Sequence, residues 1–359
     1  MAGLDRESAA LRAPMSSAAL RVLDGGQFIL GAEVMAFERE IGATVDGAYA
    51  VGCASGTDAL VLALRAFEIG AGDEVIVPSF TFVATAEAVV LAGATPVFAD
   101  IDPETFLIDP VSVAGLIGPR TRAIVPVHLF GQCARMEPLH ELADRASLYV
   151  IEDAAQAIGA RWQGRAAGAL GHAAAFSFFP TKNLGAPGDG GLVTTTDPAV
   201  ATRLRKLRSH GRTDRDTYET IGLNSPLDEI HAAILRVKLP HLDAWNERRR
   251  LAASRYRAAI GSPALAAPRE SEDTRHVYNQ FTVRAARRDE LRSHLDALGI
   301  GSAIYYPTPI HAQPAYASWA RDALPVTDRA ATEVLSVPVH PWLTDEEIER
   351  VADALATVT

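Results

Sequence analysis

Two strand-like runs end in residues that could do chemistry together. Leu148-Tyr-Val-Ile-Glu-Asp153 ends in Glu152 and Asp153, with Gln156 close behind, and Ala174-Ala-Phe-Ser-Phe178 carries Ser177 at its end. Lys182 follows in Pro-Thr-Lys, 29 residues after Asp153. In an open α/β sheet, ligands sit beyond the carboxyl ends of the strands, where both groups would lie. A lysine amine and a carboxylate at such ends suit pyridoxal phosphate (PLP). That cofactor needs the amine for its aldehyde, the carboxylate to keep its ring nitrogen protonated, and further donors for its phosphate. Lys182, displaced by an incoming amine, would then serve as general base and acid. Taken singly, a strand-end Asp is as often a helix cap, and a loop lysine a solvated charge.

The stretch Val51-Gly-Cys-Ala-Ser-Gly-Thr-Asp58 offers the phosphate end. Ser55, Gly56 and Thr57 stand directly before a helix expected to begin near Asp58. Free N–H groups and the positive dipole end of a helix bind anions. A hydroxyl there also caps the helix, and the two roles are compatible. The loop Gly185-Ala-Pro-Gly-Asp-Gly-Gly191 allows backbone to approach a ligand closely.

These residues need a scaffold. Strands are expected at 74–78, 95–99, 122–127, 148–153, 174–178 and 191–196, with helices at 58–67, 85–92 and 136–146 between several of them. Short, nearly continuous apolar strands alternating with helices predict an α/β fold, a mostly parallel sheet covered by helices on both faces. After Asn224 the pattern turns helical and charged, with a break expected at Pro240. A strand candidate at 276–283 and helices near 289–298 and 345–355 form a smaller C-terminal α+β domain. The expected division is 1–240 for a large PLP-binding domain and 241–359 for the small one.

Bulk properties remove other classes. The 359 residues are long enough for one large core and a smaller second domain. A net charge of −10 argues against nucleic acid as a partner. Charges interrupt every apolar stretch before a membrane span, and the first residues lack a secretory apolar core, so a cytoplasmic protein is expected. Cys53 and Cys133 can form neither a disulfide framework nor a four-ligand metal site, and no metal is expected.

Taken together the motifs resemble the DegT family of sugar aminotransferases, of the aspartate-aminotransferase-like (type I) PLP fold, over nearly the whole chain. They are Phe28-Ile-Leu-Gly31, Ala54-Ser-Gly-Thr-Asp-Ala-Leu60, Pro78-Ser-Phe-Thr-Phe-Val-Ala-Thr85, Val127-His-Leu-Phe-Gly-Gln132, Glu152-Asp-Ala-Ala-Gln156, Ser177-Phe-Phe-Pro-Thr-Lys-Asn-Leu-Gly185, Gly188-Asp-Gly-Gly191 and Ser209-His-Gly-Arg212. The resemblance implies that Lys182 bears PLP covalently, Asp153 pairs with the ring nitrogen and Gln156 lies near the ring hydroxyl. It also implies that Phe82 stacks on the ring and that Gly56, Thr57 and Ser177 hold the phosphate. Asn224 would reach the cofactor phosphate of a neighbouring subunit, so a homodimer with shared active sites is implied. A dehydratase branch replaces the lysine by histidine; this chain keeps Lys182.

The stretches Gly222–Ile230 and Leu235–Asn246 look most like the branch that aminates C3 of dTDP-linked 3-keto-6-deoxyhexoses with L-glutamate as amino donor. That branch usually carries arginine where Pro226 stands. C4 amination, an aminocyclitol substrate and a non-catalytic PLP-binding regulator stay open as alternatives. Tyr305, Tyr306 and His311 match a segment near the sugar. His210 and Arg212 would lie near the site or tie down a loop. The run Arg248–Arg250 would meet a nucleotide diphosphate or form a solvated helix face. His128 is read as a structural histidine.

Overall fold

The computed structural model describes residues 3–358. Helices α1 (Leu4–Gly25) and α2 (Ala32–Thr44) precede β1 (Tyr49–Cys53), α3 (Gly56–Ala66), β2 (Glu74–Pro78), α4 (Ala84–Leu91), β3 (Thr95–Ala99), α5 (Pro110–Leu116), β4 (Thr121–Ile124), α6 (Met136–Ala146) and β5 (Tyr149–Asp153). Two-residue strands β6 (Arg161–Trp162) and β7 (Arg165–Ala166) lead to β8 (Ala173–Ser177), β9 (Gly191–Thr195) and α7 (Pro198–Leu207). The seven-stranded sheet has the order β1-β9-β8-β5-β4-β2-β3. Neighbours from β8 to β3 pair in parallel, while β9 runs against both β8 and β1.

The continuous apolar strands are explained by their two buried faces. Val75, Val77, Val125 and Ile151 enter one core with α3, α4 and α7. Ile76, Ile124, Val150 and Ala174 enter the other with α2 and α6. Side chains alternate along a strand, so a sheet sandwiched between helix layers needs apolar residues at every position. Each fully buried Val, Leu or Ile contributes roughly 1.5–3 kcal/mol.

Next come α8 (Glu229–Lys238) and α9 (Leu242–Ala259), separated by a 3-10 turn at Leu239–His241. The expected break at Pro240 is this turn, since proline cannot donate the helical hydrogen bond. α8 is capped by Asp228, whose side chain accepts from the His231 N–H at 2.8 Å. Beyond it lie β10 (Leu265–Ala266), β11 (Thr274–Arg275), β12 (Phe281–Ala285), α10 (Arg288–Ala297), α11 (Pro325–Glu333), β13 (Val334–Val337) and α12 (Asp345–Ala356). The antiparallel sheet β10-β12-β13 packs with α9, α10 and α12 around a separate core that includes Tyr256, Phe281, Leu295 and Val351.

The strand expected at 276–283 is shifted. β12 starts only at Phe281, because the Val277 and Gln280 N–H groups donate to Gly131 and Phe130 carbonyls in the loop before α6. Alternating apolar residues could not reveal that docking. Among the described residues no helix is long and apolar enough to cross a membrane.

Candidate active site

The carboxyl ends of β1, β8, β5 and β2 lie along one edge of the sheet, and each delivers a polar or aromatic residue there. Asp153 is the last residue of β5 and is buried. Its Oδ2 accepts from the Thr85 hydroxyl at 2.7 Å and its Oδ1 from the Ala155 N–H at 3.2 Å. Burial raises its proton affinity, while these two hydrogen bonds and the charge of Lys182 oppose the rise.

Lys182 lies in the loop between β8 and β9, its N–H donating to the Phe179 carbonyl at 2.9 Å. Burial pushes its amine down to about 8, against the pull of Asp153. The sequence holds only three lysines. Lys206 pairs with Glu219 at 2.7 Å and Lys238 with Glu7, whereas Lys182 belongs to no ion pair among the described residues. Its amine is therefore easily deprotonated and uncommitted, as a nucleophile toward an aldehyde must be.

The loop is fixed just after this lysine. The Asn183 amide donates to Asn246 Oδ1 at 2.8 Å and to the Val277 carbonyl at 3.0 Å. Asn279 donates to Asn183 Oδ1 at 2.8 Å, and Asn246 donates to the Ile158 carbonyl at 3.1 Å. All three asparagines are buried. A satisfied polar network of this kind is rigid, since any displacement strands a buried donor. Sequence reading did not single out this role, although Asn183 and Asn246 both lie in quoted motifs.

At the start of α3, Ser55 Oγ accepts from the Asp58 N–H at 3.1 Å, so this residue caps the helix. Gly56 is the first helical residue, and a Cβ placed on it would lie 2.7 Å from the Ser177 Cβ. Only glycine lets the end of β8 come so close, and its approach brings Ser177 against the first residue of α3, where the opening N–H groups lack helical partners. Ser177 Oγ accepts from the Phe179 N–H at 3.2 Å. Hydroxyls and unpaired amides at a helix N-terminus form a cradle of the kind a phosphate takes.

Phe82, in the loop after β2, is 55% exposed, which leaves a large aromatic out of the core at this edge. Its ring centroid lies 6.2 Å from that of Tyr306. Gln156 is buried; its Oε1 accepts from the Phe130 N–H at 2.7 Å and its Nε2 donates to the Tyr306 hydroxyl at 3.1 Å. Tyr305 is partly buried beside Tyr306. His311 has both ring nitrogens engaged: Nδ1 with Ser79 Oγ at 2.7 Å and Nε2 with Asp328 at 3.2 Å. Asn224 is exposed, on a segment tied to the α3 start through Ser225, which donates to Asp58 at 2.6 Å. Pro226 bridges to Cys53 at the end of β1.

His128 is fully buried, its Nδ1 accepting from the Ala134 N–H at 3.1 Å and its Nε2 bonded to Glu152 at 2.8 Å, a structural arrangement. His210 and Arg212 are exposed. The run Arg248–Arg250 forms neither a solvated face nor an anion site. Arg248 pairs with Asp345, Arg250 with Glu270, and buried Arg249 donates to the Tyr278 carbonyl. Among the described residues no group of three or more His, Cys, Asp or Glu is placed to hold a metal.

The amine, the buried carboxylate, the anion cradle and the exposed aromatic on one sheet edge fit pyridoxal phosphate by the chemistry of the donor set. Residues 11–356 match the DegT/DnrJ/EryC1/StrS aminotransferase family. The chain belongs to that family. A Streptomyces venezuelae relative, dTDP-3-amino-3,4,6-trideoxy-alpha-D-glucose transaminase, is 50% identical over 348 residues, covering 96% of this chain and 92% of its own. A Geobacillus stearothermophilus relative called a pleiotropic regulatory protein is 47% identical over 347 residues, covering 94% and 93%. The crystal structure of S. venezuelae DesV in complex with a ketimine intermediate superposes with a TM-score of 0.96 at 50% identity, covering 98% of this chain and 96% of that one. This member of the family therefore shares the aminotransferase fold along almost its whole length.

Proposed function

We propose that this family member transfers an amino group from L-glutamate to C3 of a dTDP-linked 3-keto-6-deoxyhexose, using pyridoxal phosphate, as a cytoplasmic homodimer. The reading is carried by the Lys182 amine, in no ion pair among the described residues and pushed down to about 8 by burial, together with the buried Asp153 carboxylate whose charge acts on it from the same sheet edge. Identity of 50% to a dTDP-sugar transaminase supports the choice of substrate. The division into a large domain of residues 1–240 and a small one of 241–359 belongs to the same proposal.

When bound, pyridoxal phosphate supplies an electron sink next to the carbon that carries the transferred amine. Lys182 would hold the cofactor at its aldehyde, and its Nζ would be the group that accepts and returns a proton. Asp153 would hold a proton on the ring nitrogen. Gly56, Thr57 and Ser177 would bind the phosphate, Phe82 would cover the ring, and Gln156 would meet the ring hydroxyl. Asn224 would reach a neighbouring subunit's phosphate. Tyr305 and Tyr306 border the sugar, and His311 holds the loop beneath them through Ser79.

The test is the absorbance spectrum of the protein with pyridoxal phosphate, before and after L-glutamate, followed by addition of dTDP-linked 3-keto-6-deoxyhexose. Loss of the lysine-bound aldehyde band with glutamate, and its return with the sugar, is the expected result. A band indifferent to glutamate and to other amino acids would favour a non-catalytic regulator, the reading that the name of the Geobacillus relative suggests. Return only with a 4-keto sugar or a ketocyclitol would overturn the C3 assignment.

A further inference from the structure

The Pro78–Thr85 motif supplies more than the aromatic Phe82. Thr85 sits in the first turn of α4, is 1% exposed, and places its hydroxyl 2.7 Å from Asp153 Oδ2. Thr81 Oγ1 lies 3.3 Å from Thr85 Oγ1 and is also buried. A hydroxyl has one proton, and an ionised carboxylate only accepts. The chain thus runs one way: Thr81 donates to Thr85, and Thr85 donates to Asp153.

We infer that Thr85 is a positioning residue that keeps Asp153 ionised, so that a proton shared between this carboxylate and a cofactor ring nitrogen resides on the nitrogen. The inference rests on the cofactor reading above and deepens it. The physical problem is desolvation: a carboxylate and a pyridine nitrogen facing each other away from water favour the neutral pair, with the proton on the acid. Burial acts on Asp153 in that sense, and the Thr85 hydroxyl is the largest influence against it. The other groups acting on this carboxylate are the Ala155 N–H, Lys182 and His128; the Tyr306 phenol also faces it, and Glu152 precedes it in β5. The Glu152 carboxylate is occupied elsewhere, accepting from the Gly168, Leu170 and Gly171 N–H groups and bonded to His128. With the cofactor bound, the charge that Lys182 lends to Asp153 would depend on the protonation of its Nζ. Thr85 and the Ala155 N–H then remain as the fixed donors, and Thr85 makes the shorter bond.

The test is the nitrogen-15 chemical shift of ring-labelled pyridoxal phosphate bound to the wild type, Thr85→Val, Thr85→Ser and Asp153→Asn. The wild type and the serine variant are expected to show a protonated ring nitrogen, and Thr85→Val a shift moved most of the way toward the unprotonated value. Loss of a hydrogen bond to a charged group changes the proton distribution roughly tenfold or more. A protonated ring in Thr85→Val, with an unprotonated one in Asp153→Asn, overturns the inference while leaving the cofactor reading intact. A ring that stays protonated in Asp153→Asn overturns both. The apoenzyme gives an independent readout. Because burial raises the Asp153 pKa above its unfolded value, stability falls as pH rises toward the folded pKa. Removing Thr85 extends that fall to higher pH. The melting gap between wild type and Thr85→Val should therefore widen with rising pH and vanish as a pH effect in the Asp153→Asn background. A gap constant with pH would mean a merely structural threonine.

Discussion

Replacing Asp153 by asparagine should move two properties of the site in opposite directions. Burial lowers the Lys182 amine from 10.5 to about 8, and the Asp153 charge holds it up against a larger fall. At pH 7 an amine of pKa about 8 is roughly 10% neutral, against roughly 0.03% for an unperturbed lysine, a difference of about 300-fold in nucleophile. Removing the carboxylate leaves only the burial effect, so the midpoint drops below the wild-type value. Reactivity at pH 7 then rises, but by no more than about tenfold, because the neutral fraction saturates. Transamination should instead fall by about a hundred- to a thousandfold, the scale of losing one preorganised electrostatic partner. The assay is competitive labelling of the apoenzyme with limiting formaldehyde and borohydride from pH 6 to 10, read by peptide mass. With only three lysines in the chain, Lys206 in its ion pair with Glu219 serves as internal reference. An unchanged or raised Lys182 midpoint in Asp153→Asn would refute the claim that the Asp153 charge holds the Lys182 amine up.

Three further substitutions test the supports. Gly56→Ala forces a Cβ to within 2.7 Å of the Ser177 side chain, so the α3 start must move; apoenzyme stability should fall by about 1–3 kcal/mol and the Kd for pyridoxal phosphate should rise roughly tenfold. Asn246→Ala removes the acceptor for Asn183 and leaves the Ile158 carbonyl without its donor. The expected loss is about 2–3 kcal/mol in denaturant unfolding, together with slower capture of pyridoxal phosphate by Lys182 in stopped-flow absorbance. His311→Asn breaks the link from Ser79 to Asp328; Tm and kcat should fall while KM for the sugar changes little, and a change confined to KM would instead indicate direct substrate contact.

What the sequence alone determined follows from local chemistry and from order along the chain. Strand runs such as Glu74–Pro78 and helices such as Met136–Ala146 were legible because their residues answer to local periodicity and to two-sided burial. Lys182, Asp153, Gly56 and Thr57 could be proposed together because an amine, an acid and a helix start after strand ends suit one cofactor, and the fold sets these elements along one sheet edge. Contacts between distant segments were left to the tertiary structure. Thr85 reads as an ordinary helix-start threonine until the fold sets it against a carboxylate 68 residues away. Asn183 and Asn246, 63 residues apart, reveal their bond only when α9 packs behind the lysine loop. His311 is the converse case: the family resemblance put it near the sugar, and the fold adds that Ser79 and Asp328 engage both its nitrogens. The arginines of α9 suggested solvent or diphosphate, and the fold gave each a partner within the chain. Residue type limits what a side chain can do; which partner takes its hydrogen bonds is decided by chain packing, where desolvation makes an unmade bond costly.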